Sequence, residues 1–344
     1  MNGNEPKFSW SPFREGMFQR CQLCYVLHYY TAHKGWLNSS STEAKAAYRW
    51  KQANKIKDLM FNTLVNTLID DIYSDEKMSL SQTKKGILDT LNESFIDSVK
   101  HKATWYHKPK SVNMLYELVY EDELDEGFVE ETTSTLTKYL RNFLHSQFVK
   151  DLSTKGTQLL DVKNKFRGGF SYIDIPVHNV RAYAGVQTVH MRDDKKVIAT
   201  IFKTDSNPST LSQIGVVAQI VSNTLNVPMR DIIVRDEFLC DATFEEYNIT
   251  EVLLSAIKTA ISQSIEDMSK LLVNGDIQRN EFIGFEDAKY HRSIEHQKAG
   301  DDMCTMDSCP YCEAVKRDLE LYPSGYDPKI NILKYSKKVL GSTT

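Results

Sequence analysis

Five of the six cysteines of this 344-residue chain stand in two places. Cys21 and Cys24 lie in "FREGMFQRCQLCYVLHYY"; Cys304, Cys309 and Cys312 lie in "MCTMDSCPYCEAVKRD", almost three hundred residues later. Two residues separate Cys21 from Cys24, and two separate Cys309 from Cys312. Thiolates paired at that spacing suit a tetrahedral zinc site or an iron–sulfur cluster such as 4Fe–4S. The expected ligands are Cys21, Cys309 and Cys312, with Cys24 or Cys304 as the fourth. Such a site would fasten the first helix to the chain end and close a very long loop. The alternative is five unligated, partly buried thiols.

A second chemistry is raised by Lys203, which ends the apolar run "VIATIFK". Metal-dependent phosphodiester cleavage needs carboxylates to seat Mg²⁺ and a positive or basic group beside the attacking water. Lys203 is such a group, but Thr200, Ile201 and Phe202 before it carry no carboxylate. Ala184, Gly185, Val186 and Gln187 upstream carry none either. Asp174 and Asp205 are the acids from which a rearranged site would be built; otherwise Lys203 is a surface or phosphate-contacting lysine. A catalytic Mg²⁺ is therefore not expected. No Gly-rich phosphate loop, G-x-G-x-x-G, H-E-x-x-H or G-x-S-x-G is present. "HRSIEH" near 291–296 reads as a polar loop, and the acidic "YEDELDEG" as a solvated turn.

These residues have to be positioned by a folded core, and composition allows one: 41% apolar and 26% charged residues. The net charge of -4 excludes a generally basic surface but not a local basic groove. The tail "KINILKYSKKVLGSTT" is locally positive and reads as a solvated end. No apolar run reaches the roughly 20 residues of a membrane span, and "MNGNEPKFSW" lacks a secretory leader. A cytoplasmic or otherwise intracellular protein without structural disulfides is expected.

Periodicity predicts helices over about 8–34, 42–72, 81–100 and 129–149, with Ser9 and Ser11 as caps and Pro12 in the first turn. Tyr25, Tyr29 and Tyr30 read as packing, with a stacking surface as the alternative. The middle changes period: 180–190 and 197–203 read as a hairpin around the turn "MRDDKK", followed by a helix after Pro208, a strand in "MRDIIVRDEFLC" and a helix capped by Thr250. Leu253, Leu254, Ile257, Ile261, Ile265 and Met268 line that last helix. The order predicts a mixed α/β fold: a mostly helical portion over 1–160 and an α/β core with a cysteine-containing tail over 161–344, or one integrated domain.

Taken in order, these pieces resemble the PD-(D/E)XK nuclease superfamily, in its RecB/AddB-like branch. "FSWSPFREGMFQRCQLCYVLHYY" is similar to the branch's opening helix, with Cys21 at the first cluster position. "YRWKQANKIKDLMFNTLVNTLI" is similar to its second helix, best over Tyr48 to Gln52. "IFKTD" and "QIGVVAQ" resemble its D-x-K hairpin and following helix, retaining Lys203, Gln213 and Ala218. "LLSAIKTAISQSIEDMSKLL" looks like its late helix, and "CPYC" like its terminal cluster segment. The resemblance implies a restriction-endonuclease-like core. It equally implies a degenerate site: the helix histidine falls on or next to Val65, the first metal-binding Asp near Gly185, and the second carboxylate on Ile201. The last cluster cysteine falls on Asp318. Of the catalytic set only Lys203 and Gln213 carry over, as vestiges. The implied function is a catalytically inactive nuclease-fold protein that acts by binding, with a protein partner, or with a DNA end or single strand held in the retained groove. An active metal-dependent nuclease with a migrated site and a pure docking module are the alternatives.

Overall fold

The structure, a computed structural model, describes residues 7–20, 22–73, 79–107, 114–120, 127–160 and 171–272. Cys21, Cys304, Cys309, Cys312 and Asp318 lie outside them. The described residues fall into two units: one within Met1–Arg20, Phe61–Lys85 and Glu130–Ile283, the other within Cys21–Met60 and Gly86–Val129.

The first unit is built on a five-stranded mixed sheet of order β1-β4-β5-β6-β7. Its strands are β1 (Gln158–Leu159), β4 (Thr188–Met191), β5 (Val197–Lys203), β6 (Ile232–Phe238) and β7 (Thr243–Asn248). β4 and β5 pair antiparallel across the expected hairpin, whose turn is closed by the Arg192 amide on the Lys196 carbonyl at 2.9 Å. β5 and β6 pair parallel, which requires a crossover, and α9 (Leu211–Leu225) supplies it. Thr210 caps α9 by accepting from the Gln213 amide. All seven residues of β6 are buried, which is what a strand covered on both faces requires.

α9 packs on β5 and β6, and α10 (Glu251–Ser269) packs on α9. Thr250 caps α10 by accepting from the Leu253 amide, and Ile257, Ile261, Ile265 and Met268 form its buried face. The opposite face of the sheet carries Phe202, in contact with Phe143 of α7 (Phe128–Leu144) and Phe148 of α8 (Gln147–Leu152), at ring separations of 5.5 and 5.7 Å. The helix expected over 129–149 breaks at Ser146, whose side chain caps α8. A second, two-stranded sheet pairs β2 (Tyr172–Ile175) with β3 (Val180–Tyr183). Trp10 hydrogen bonds to β3 through its own backbone and to Ser264 of α10 through its indole N–H, at 2.9 Å. It leads into α1 (Pro12–Arg20), with Ser11 accepting the Arg14 amide as its cap. The 180–190 segment is thus not one strand. It breaks at Ala184–Gln187, and its halves join different sheets.

The second unit contains α2 (Gln22–Val26), continuing as a π-helical turn over Leu27–Thr31, then α3 (Thr42–Gln52), the start of α4 (Ile56–Tyr73), most of α5 (Leu80–His107) and α6 (Tyr116–Tyr120). The helix expected over 42–72 is two helices. Ala53 is extended, and Asn54 exchanges backbone hydrogen bonds with Met114 and Tyr116, at 2.8 and 2.9 Å. Glu117 then accepts the Ile56 amide and restarts the helix. Trp105, Met114, Tyr116, Val119 and Tyr120 form one core cluster, and Ile56, Phe95 and Leu115 another. The fold is mixed helix and sheet, as the sequence predicts. No helix among the described residues is long and apolar enough to cross a membrane.

Candidate functional site

Lys203 is the last residue of β5, at the carboxyl end of the parallel pair, where open α/β sheets place their ligands. Its side chain is 16% exposed. The ammonium donates to the Asn207 carbonyl at 2.8 Å and lies 3.8 Å from Asp236 Oδ2. Asp236 belongs to β6 and is the register partner of Ile201. Register partners project from the same face, so Asp236 stands one strand away from the place where a D-x-K motif would carry its acid.

Asp236 is fully buried, and its oxygens are already engaged. Oδ2 accepts the Ser209 amide at 2.6 Å and Oδ1 the Ser209 hydroxyl at 2.7 Å. The Tyr247 hydroxyl reaches Oδ2 at 3.4 Å and donates to Glu245 at 2.6 Å. Burial, then the Glu245 and Asp236 carboxylates, pushes the Tyr247 phenol well above its ordinary value. A divalent ion needs several anionic oxygens with lone pairs to spare. Here they hold the 204–210 loop to the sheet instead. Ile201 is buried apolar packing, and the Gln187 side chain accepts the Phe202 amide.

Asp174 and Asp205 are each held elsewhere. Asp174, exposed on β2, pairs across the small sheet with Arg181 at 3.6 Å. Asp205, exposed in the loop after β5, accepts the Asn207 amide at 3.0 Å. Gln213 is half-buried in the first turn of α9, Ala218 is buried in the same helix, and Val65 is buried in α4. Of the candidate cysteine ligands only Cys24 is among the described residues, and it is buried on α2. Among the described residues no group of three or more His, Cys, Asp and Glu side chains is placed to hold a metal ion.

Among the described residues a second charged constellation surrounds Arg235, at a place that no sequence motif marks. It lies on the other face of the sheet, beneath α8. Arg235, fully buried on β6, donates to Asp151 of α8 at 2.6 Å and to Glu246 of β7. His190 of β4 meets the same Asp151 oxygen at 3.1 Å. Burial raises the Asp151 carboxyl, but hydrogen bonds from Arg235, Gln147 and His190 outweigh it and leave the pKa below its ordinary value. Burial holds His190 low, against the pull of Asp151, so the imidazole is neutral at pH 7. Glu237 accepts the Phe148 and Gln147 amides at the start of α8, at 2.7 and 3.3 Å. Burial pushes its carboxyl up to about 7, against Arg235 and those two amides. The signal in the sequence was "VRDEF": three charges in succession inside an apolar strand, which alternation sends to opposite faces. Buried as it is, the group anchors α8 to the sheet rather than meeting a substrate.

No protein-family model matches the chain, and no curated protein matches it in sequence.

Proposed function

We propose that this chain is a nuclease-like α/β protein that acts by binding, as a non-catalytic subunit of a nucleic-acid-processing assembly. The observation that carries the reading is the composition of the β5 end. Ile201, where the resemblance would put the metal-binding acid, is apolar, and its register partner Asp236 spends both oxygens on Ser209. Without anionic donors for Mg²⁺ the chemical basis of phosphodiester hydrolysis is gone, while Lys203 remains as a vestige. Incubation of the full chain with single- and double-stranded DNA and with RNA, in Mg²⁺ and in Mn²⁺, should give no cleavage. Cleavage that disappears on Lys203→Ala would overturn the reading.

A migrated catalytic site has one observation in its favour, the 3.8 Å approach of Asp236 to Lys203. It predicts metal-dependent cutting that is lost on Asp236→Asn, and on Asp174→Ala or Asp205→Ala if either completes the site. On the binding reading the paired cysteines serve structure, holding zinc or an iron–sulfur cluster.

A further inference from the structure

Residues 27–57 carry six Lys and Arg residues, of which Arg49 is buried, against one acid, Glu43, in a chain whose net charge is -4. The same stretch carries Tyr29, Tyr30, Trp36, Tyr48 and Trp50. Basic residues interleaved with aromatics are the footprint of a surface that tracks a phosphate backbone and stacks its bases.

The geometry within the second unit gives that pattern a shape. Trp36 is 47% exposed, unusual for so large an apolar side chain. Its ring lies 5.3 Å from that of buried Tyr48 on α3 and 6.1 Å from that of His33. The loop carrying it is seated closely: a Cβ on Gly35 would fall 2.2 Å from the Ala44 carbonyl oxygen. Gly35 thus lets the backbone approach α3, and Trp36 is backed by a fixed ring instead of swinging free, which lowers the ordering cost of any contact it makes. Lys51 follows Tyr48 by three positions, so the two share a helix face. Its ammonium lies 5.3 Å from the Tyr29 ring centre, on the π-helical turn, and donates one hydrogen bond to the His28 carbonyl at 3.2 Å. Lys55 is exposed just beyond α3, 5.1 Å from the Tyr116 ring centre.

We propose that this face binds single-stranded nucleic acid, with Trp36 stacking on an unpaired base and Lys51 and Lys55 meeting phosphates. The inference rests on the reading that the protein acts by binding. The test is fluorescence anisotropy of the full chain with labelled oligothymidylate and oligouridylate of about 30 nucleotides, and a duplex of the same length, between about 50 and 200 mM salt. Single strands should bind more tightly than duplex. Trp36→Ala should weaken binding about 5- to 150-fold, as the loss of one stacked base does. Trp36→Phe should recover most of it, which separates stacking from a folding defect. Lys55→Ala should flatten the salt slope by about 0.7. The oligouridylate arm tells RNA from DNA.

No retention of either oligonucleotide, equal binding of duplex, or parental binding by Trp36→Ala would each overturn the proposal. So would capture of a protein through this face by a chain that ignores both oligonucleotides. Failure to bind leaves the non-catalytic reading intact. Metal-dependent cutting of a bound oligonucleotide, lost on Lys203→Ala, overturns only the absence of catalysis and leaves binding at this face standing.

Discussion

Glu237 is a carboxylate that the fold makes expensive to ionise. Its carboxyl titrates at about 7 in the folded chain, against an ordinary value of 4.5. Between those values the folded state binds the proton more tightly than the unfolded one. This group's contribution to stability is therefore fully present below about pH 4.5 and is lost as pH rises through about 7. The full excursion is on the order of 3 kcal/mol. Glu237→Gln keeps the size and an acceptor for the Phe148 amide, and it cannot ionise. Melting temperature measured from pH 5 to pH 8 should fall less steeply in Glu237→Gln than in the parent. Parallel curves would show that Glu237 ionises in the folded state as it does in water. Asp151 has the opposite sign. Its lowered pKa means that the contribution of the Arg235 contact is present above the ordinary carboxyl range and lost in acid. The two acids bracket α8, and near neutral pH only Glu237 is poised to change charge.

Among the elements, the close approach of α9 and α10 depends on one residue. A Cβ on Gly215 would fall 2.0 Å from Ile257 Cγ2, inside any real contact. Alanine gains about 1 kcal/mol of helix propensity over glycine, but overpacking costs about 1–3 kcal/mol, and so short an approach lies at the upper end. Gly215→Ala should therefore lower the urea midpoint. Adding Ile257→Ala should cost less than the two separate losses combined, because the clash partner is gone. Strict additivity would mean that the helices are not in contact there. The same elements show what was legible in the sequence. The end of β5 at Lys203, the crossover helix and the Thr250 cap follow from local period and capping, which a single chain segment displays. The break at Ala53–Lys55 does not, because Asn54 leaves the helix to pair with Met114 and Tyr116, about sixty residues away. β7 was missed because "TFEEYN" is polar and exposed on a sheet edge, with no alternation to read. Lys203 was visible as a candidate, whereas the role of Asp236 depends on its register with Ile201 on another strand, which no linear spacing encodes.

On the scale of the whole chain the two cysteine groups make a claim of a different kind. A metal taking Cys21 from one group and Cys309 and Cys312 from the other would join positions almost three hundred residues apart. Were the metal kept by the unfolded chain, closing so long a loop would stabilise by about 6 kcal/mol, because loop-closure entropy grows only as the logarithm of length. A metal that only the folded chain holds leaves the unfolded chain unconstrained and stabilises instead by its binding free energy. Stability should accordingly follow metal content. Elemental analysis of anaerobically purified full chain should find zinc or iron at a fixed ratio to protein, with an absorption band near about 400 nm in the iron case. A chelator, or air for an iron cluster, should then lower the melting temperature by several degrees. Cys309→Ser should lose the metal and melt like the chelated parent. Cys240→Ser removes the thiol that follows β6, outside both groups, and should change neither metal nor melting. Protein that carries neither zinc nor iron, and melts alike with and without chelator, would reduce the five clustered cysteines to ordinary thiols.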